Sequence, residues 1–474
     1  MISKQWTRRT AALLVAAASV GIAPAVTSSA PTVSAAEDVG AGGEFFPITP
    51  ARILDTRVPS MDVAPIGRKA ANSTFTVPVV GVGGVPSEGV LAVAVNVTVI
   101  QAPGNGYLSL RPSDFTPAET DEPTTLLNFK QSQVVPNFAI VGVGANGELA
   151  VEITAPDGSA DVTIDVFGWV ATSNYEGDGT TSADAADGAR IVPQDPQRLL
   201  DTRPNMAPAG DASDVKLGAQ SSIEVPVKGR AGVPDDQNVT GVVFNMAGIR
   251  PSERTYLSMT PDVVPADAAE ATTANGNFVA GDVKSNYVMV PLNDNGSVFL
   301  YNRAGEIDVT LDVVGYLVKN QDGATLEGRI VPLEAPFRSF DTRSPEFNSQ
   351  KLGFSSWEDW SFQDFARSVT LDGAPVGAQS GLLGNLAAFQ LERNYPAAPV
   401  QSFMTLNPTD PADPTQGGTP GNANLNVGEG QVVTNMSLVT YGSNGEGDDN
   451  MVSAFNADGK IHYTLDVYAV ILAD

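Results

Sequence analysis

Leu91-Ala92-Val93-Ala94-Val95-Asn96-Val97-Thr98-Val99 alternates without a break: every odd position is Val or Leu, and every even one is small or polar. Side chains of an extended strand leave on opposite faces in turn, so a period of two describes a strand with one large apolar face. Strand-like runs surround it at 75–80, 107–111, 126–129, 137–143, 148–154 and 162–170, separated by turn signals such as Gly104-Asn105-Gly106 and Asn146-Gly147. About eight short strands at this spacing, with no helical period, predict an all-β fold, an antiparallel sandwich or jelly roll.

The unit occurs three times. Pro50-Ala51-Arg52-Ile53-Leu54-Asp55-Thr56-Arg57 returns as Pro196-Gln197-Arg198-Leu199-Leu200-Asp201-Thr202-Arg203 and as Pro336-Phe337-Arg338-Ser339-Phe340-Asp341-Thr342-Arg343. Each copy closes alike, on Val162-Thr163-Ile164-Asp165-Val166, Val309-Thr310-Leu311-Asp312-Val313 and Tyr463-Thr464-Leu465-Asp466-Val467. Between these ends lie Asn128 with Asn137, Asn277 with Asn286 and Asn426 with Asn435, each pair stepping by 149 residues. Each copy is long enough for its own core, so the repeat reads as three tandem jelly-roll-like domains rather than a solenoid. The expected layout is a signal peptide at 1–36, repeats at 44–172, 190–319 and 329–474, an acidic flexible linker at 173–189 and a short one at 320–328. The shorter linker suggests that copies two and three sit closer together.

The Pro-x-Arg-x-Leu-Asp-Thr-Arg opening, the Val-Asn-Val strand, the later Asn and the Asp-Val-x-Gly-Trp/Tyr ending (Asp165 to Trp169, Asp312 to Tyr316) resemble a repeat domain of secreted and surface proteins of actinobacteria. The resemblance covers essentially all of the chain after the first 36 residues. It implies location and an accessory character, not a chemistry. Copy three departs from the pattern at Ser339-Phe340, at Gln390 where an Asn is expected, and at Ala469 after Tyr468.

Composition narrows the function. The 474 residues carry 54 Asp+Glu against 27 Lys+Arg, a formal net charge of −27, with no Cys and a single His, His462. Thiol chemistry, Cys-ligated metals and multi-His centres are excluded, and phosphate backbones are repelled, so no nucleic-acid partner is expected. Lys4, Arg8 and Arg9 precede an apolar run from Ala11 to Val26, and Ser34-Ala35-Ala36 offers small residues for cleavage, so a mature chain beginning near Glu37 is expected outside the cell. Nothing later is long and apolar enough to span a bilayer. The acidic stretches at Asp410 to Asp413 and at Glu446 to Asn450 lack the spacing of a calcium loop, so no metal and no cofactor is expected.

Catalysis finds no motif. His462 aligns with Asp161 and Asp308 of the other copies, so no copy shares it as a catalytic group. Two sets of residues compete for a role instead. On a regular strand Asp55 and Arg57 share one face while Arg52, Leu54 and Thr56 share the other. The block Arg52, Asp55, Arg57, with Arg198, Asp201, Arg203 and Arg338, Asp341, Arg343, is either a fork for an acidic sugar or a set of charges fixing the first strand. The structural reading is preferred, because the block recurs while the loops vary. Asn137, Asn286 and Asn435 are read in the same way, as amides satisfying loop backbone. The second set is the aromatic segment Phe354 to Phe365, which breaks the repeat in the sequence and holds Trp357, Trp360 and Phe362 as a candidate sugar-stacking surface.

The function expected is therefore a secreted, non-catalytic tandem β-domain protein with a structural, display or interaction role at the envelope. The alternative is a carbohydrate- or cell-wall-binding module with its site in repeat three. Its partner would be envelope polysaccharide or another surface protein.

Overall fold

A computed structural model describes residues 41–58, 67–102, 104–118, 123–175, 188–206, 215–264, 273–319, 325–345, 350–393, 401–410, 418–447 and 449–474. The signal segment at 1–36 and most of the 173–189 linker lie outside the described residues.

Copy one shows how the alternation becomes architecture. Its strands Phe45–Asp55, Ser159–Ala171, Val90–Ile100 and Val134–Gly142 lie side by side in that order. Ser73–Pro78, Glu148–Thr154, Gly106–Pro112 and Leu127–Phe129 form a second four-stranded sheet. Every pairing is antiparallel. Counting these eight strands along the chain, the sheets run first-eighth-third-sixth and second-seventh-fourth-fifth, which is the jelly-roll order. Copy two repeats both sheets with Ala189–Asp201, Asp308–Lys319, Val239–Ile249 and Val283–Pro291, and with Ser221–Pro226, Ser297–Asn302, Thr255–Thr260 and Gly276–Phe278. Copy three does so with Ile330–Asp341, Lys460–Leu472, Gln379–Glu392 and Val432–Thr440, and with Ser356–Ser361, Met451–Asn456, Gln401–Pro408 and Leu425–Gly428. The all-β, jelly-roll-like expectation holds. Among the described residues one short helix, Gln363–Ser368, interrupts it.

The motif glycine of the closing strand has a packing reason. A Cβ on Gly168 would lie 2.7 Å from the Phe46 carbonyl oxygen and 2.2 Å from the Phe45 ring, so only Gly lets the first strand come this close.

Linker lengths are a poor guide to how the copies sit, because all three pairs touch through their first strands. Phe45 of copy one pairs with Ala189 of copy two, Gly43 of copy one bridges to Ile330 of copy three, and the Ile191 amide of copy two donates to the Gly328 carbonyl at 2.9 Å. The contacts close a ring. The linkers contribute to it: Tyr175 packs edge-on against Trp169 at 4.9 Å, and the Arg190 guanidinium donates to the Thr325 and Glu327 carbonyls at 2.5 and 2.9 Å.

The ring also explains why the strand at 91–99 is buried on both faces rather than one. Its large residues fill the sandwich of copy one. Its small face looks toward the other copies, where one continuous core gathers Ala94, Phe138 and Ile140 with Val243, Tyr287 and Met289 and with Leu383, Met436 and Leu438. These are the same positions in the three repeats. Small residues at 92 and 94 leave the room that the neighbouring copies occupy.

Candidate functional site

The Leu-Asp-Thr-Arg block is built on a strand irregularity. Arg52 pairs with Asp165, but the next partner of the closing strand, Ile164, faces Leu54, so the register slips by one residue between them. Such a β-bulge turns the side chain and changes which residues share a face. Arg52 consequently stands with Asp55, not with Leu54 and Thr56 as simple alternation implies. The same slip occurs at Arg198/Leu200 and Arg338/Phe340.

The result is one charge cluster per copy. Arg52 Nε and Nη2 donate to the two oxygens of Asp165 at 2.6 and 2.9 Å, and Nη1 lies 3.5 Å from Asp55. Arg57 donates through Nε and Nη2 to Asp55 at 2.9 and 2.7 Å, and its backbone N–H does so at 3.0 Å. Arg198 with Asp312 and Asp201, and Arg203 with Asp201, repeat this, as do Arg338 with Asp466 and Asp341, and Arg343 with Asp341. Burial works against ionisation of Asp55, Asp201 and Asp341, yet the Arg57-type hydrogen bonds and both guanidinium charges outweigh it and hold these carboxyls below the ordinary aspartate range. Asp165, Asp312 and Asp466 lie deeper, and burial lifts them above it despite the guanidinium on each. A bidentate pair this buried is costly to break from one side.

These clusters sit at the seams between copies. The free side of the Asp466 carboxylate accepts the Thr125 backbone N–H of copy one at 2.9 Å, and Asp165 accepts the Ala274 N–H of copy two at 3.4 Å. Beside each Asp lies an Asn of the third strand. Asn96 donates to the Ala274 carbonyl at 2.7 Å and accepts from Asn286 at 3.0 Å. Asn245 donates to the Ala423 carbonyl and accepts from Asn435 at 3.0 Å. Asn385 donates to the Thr125 carbonyl at 2.5 Å and accepts from Asn137 at 2.8 Å. Copy one thus grips copy two, two grips three, and three grips one.

One sequence alignment changes here and one holds. Gln390 is not the counterpart of Asn96. Asn385 is, because it pairs with Asp466 as Asn96 pairs with Asp165 and Asn245 with Asp312. Apolar alternation in copy three is interrupted by Gly381 and Gly384, which hid the register. His462, by contrast, does occupy the position of Asp161 and Asp308: Thr342 Oγ1 lies 3.0 Å from its Nδ1, as Thr56 and Thr202 bond the two aspartates at 3.0 and 3.2 Å. The deep partners Asp165, Asp312 and Asp466 were visible only as part of the closing motif, with no local sign that they reach the first strand.

The aromatic segment of copy three follows the repeat rather than breaking it, since Ser356–Ser361 takes the sheet position of Ser73–Pro78 and Ser221–Pro226. Its side chains are largely spent on packing. Phe362 is 3% exposed and belongs to the core. Trp360 stacks on Phe340 at 4.8 Å and donates its Nε1–H to the Tyr463 hydroxyl at 2.7 Å, which donates in turn to Glu358. Trp357 lies against Phe455 and donates to the Gly418 carbonyl at 3.2 Å. The three do not present a common face to a ligand, because Phe362 and Trp360 point into the sandwich.

Where copy three grips copy one, the seam opens into a crevice of about 750 Å3. Copy three contributes Arg338, Asp341, Arg343, Phe389 and Val432, and copy one contributes Tyr107, Pro123, Thr125 and Asn128.

No family model matches the chain, and no curated protein matches it. Among solved structures it is similar to a chain from the atomic structure of Sulfolobus turreted icosahedral virus, at 8% identity over 89% of this chain and 91% of that one, with a TM-score of 0.16. A chain described for the triple jelly roll fold and turret assembly of an archaeal virus matches at 8% identity over the same shares, with a TM-score of 0.15. The N-terminal CBM22 tandem of Paenibacillus barcinonensis Xyn10C matches at 10% identity over 60% of this chain and 93% of that one, with a TM-score of 0.16. Likeness at this level carries no functional argument.

Chemically, the seams are largely matched: each guanidinium of the block meets carboxylates, and the Asn96-type and Asn137-type amides meet backbone or another amide. Such an arrangement orients the side chains and locks the copies to one another. Among the described residues no helix is long and apolar enough to cross a membrane.

Proposed function

We propose that the chain is a non-catalytic structural and display protein of the cell envelope or its surroundings, in which three repeats lock into one block. The carrying observation is the ring of Asn–Asn contacts, repeated at all three seams with the same residue types in the same positions and joined at two of them by an Asp–backbone contact. Building the same polar lock three times serves rigidity, and recurring residues spent on it are not available to turn over a substrate. The likeness of the repeats to a secreted actinobacterial module supports the location, as does the cationic-then-apolar start of the chain. The alternative of a sugar surface on Trp357, Trp360 and Phe362 draws no support from their packing.

Cleavage tests the block. With protease sites inserted between Gly179 and Thr180 and between Asp322 and Gly323, the cut chain should sediment at the mass of the intact one. Pieces that separate at micromolar concentration would overturn the reading. Fractionation of producing cells tests the location: a processed chain starting near Glu37 belongs in the medium or envelope fraction, and an unprocessed cytosolic chain would refute it.

A further inference from the structure

We infer that the crevice between copies three and one is a binding site for a neutral saccharide. At the Asn96-type and Asn137-type positions of the seams, the amide N–H groups are hydrogen-bonded to protein. Here two polar groups line the wall without a protein partner among the described residues: the Tyr107 phenol and the Asn128 amide, which sit opposite each other on neighbouring strands. Between them they offer a hydroxyl, a carbonyl oxygen and an NH2, the donors and acceptors that sugar hydroxyls need.

The facing wall offers Val432, 42% exposed, beside the planar Arg343 guanidinium, which lies over the buried Phe389 ring at 4.6 Å from its centroid. An exposed apolar side chain and a planar group opposite a few fixed polar groups suit the face of a sugar ring. Charge decides between a neutral and an anionic ligand. Arg338 and Arg343 are already held by Asp466 and Asp341, so the cations and carboxylates match two against two. An anion would have to displace one of these carboxylates, in a protein whose formal charge is already −27. A neutral ligand leaves both pairs intact.

The other seams are less suited. Where copy two grips copy three, Phe403 replaces Tyr107 and has no hydroxyl, and the equivalent Asn426 is bonded to Ser285 at 3.4 Å. Where copy one grips copy two, Tyr256 and Asn277 are in place, but Ile100 stands where copy three has Phe389, so Arg57 has no ring beneath it. Among the described residues, the crevice of copies three and one alone combines all three elements.

The test is isothermal titration of the full chain from Glu37 to Asp474 with cellohexaose, xylohexaose and mannohexaose. Binding of at least one is expected, weakened about tenfold by Asn128→Ala and by Tyr107→Phe, each a loss of about 1.4 kcal/mol, with Asn277→Ala unchanged as a control. Both variants keep the ring or the backbone, and an unchanged melting temperature would show that the fold persists. No binding by any of the three sugars overturns the inference. So does binding that survives both substitutions, or binding abolished by Trp357→Ala alone, which would move the site to copy three's outer sheet. None of these failures bears on the locked block, which the cleavage experiment decides separately.

Discussion

Asn137 of copy one donates its side-chain amide to the Asn385 carbonyl oxygen of copy three at 2.8 Å, across 248 residues of chain. Both side chains are fully buried, and the same Asn137 amide also satisfies the Leu126 carbonyl at 2.6 Å. The second N–H of this buried amide is satisfied only while two copies are docked. Replacing Asn385 with Leu leaves one N–H of the Asn137 amide and the Thr125 carbonyl without their partner, and the expected cost is about 1–3 kcal/mol in urea unfolding. A midpoint equal to wild type would show that the seam contributes nothing to stability.

The buried ion pair at the same seam makes a stronger case. Arg338→Met leaves Asp466, 1% exposed, without its bidentate cation. The expected loss is about 3–5 kcal/mol, because an uncompensated charge remains behind. Arg343→Met should cost far less, since Arg343 is half exposed and Asp341 keeps Arg338. Equal losses for the two variants would contradict the placement of the deep pair.

Acid should weaken the clusters in a definite direction. Asp341 is held below its ordinary value of 3.8, the guanidinium contacts outweighing burial, so its contribution is complete above that value and is lost as pH falls through the lower folded one. Wild type should therefore be more stable than Asp341→Asn near about pH 7, and the gap in urea midpoint should narrow as pH falls below 3.8. A gap that stays constant through acid titration would show that Asp341 contributes nothing through its charge.

Copy three carries its own pH signature. Burial, with Lys351 and Arg343 nearby, outweighs Asp341 and Glu392 and holds His462 below its ordinary 6.5. A base with a depressed folded value contributes stability above the unfolded value and loses it as pH falls below 6.5 toward the folded one. As the chain has a single His, its ring proton signal in NMR reports this titration without assignment. A midpoint at or above 6.5 would contradict the environment described. His462→Asp, which gives Thr342 the acceptor that Thr56 and Thr202 already have, should remove the loss between pH 6.5 and the folded value.

The two tryptophans of copy three should behave differently. Trp360→Ala empties a stack on Phe340 and removes the donor to Tyr463, for an expected loss of about 2–4 kcal/mol. Trp357→Ala, on the outer face, should cost about 1 kcal/mol or less. Chemical unfolding followed by far-UV circular dichroism separates them, and the reverse order would mean that the segment is turned over.

Much of the fold was readable along the chain. Unbroken alternation from Leu91 to Val99 and the turns around it are local signals, and the repeat of head, asparagines and tail tripled their weight. The candidate residues were legible as recurring, and their partners were not. Arg52 meets Asp165 because a bulge turns the strand, and no pattern of residue types announces a one-residue slip. Asn385 was hidden behind Gly381 and Gly384, which break the apolar period by which strands are aligned.

What the sequence by itself determined is the jelly-roll unit and its number, because hydrophobic period and turn chemistry act over a few residues. What only the tertiary structure decided is that the three units close on one another. Docking depends on which small face meets which neighbour and on whether each buried amide and carboxylate finds a partner more than a hundred residues away. The small residues Ala92 and Ala94 and the amide of Asn96 are compatible with an exposed face or a buried one. Burial against the next copy chose between them, since a polar side chain can be hidden only where another stands ready to bond it.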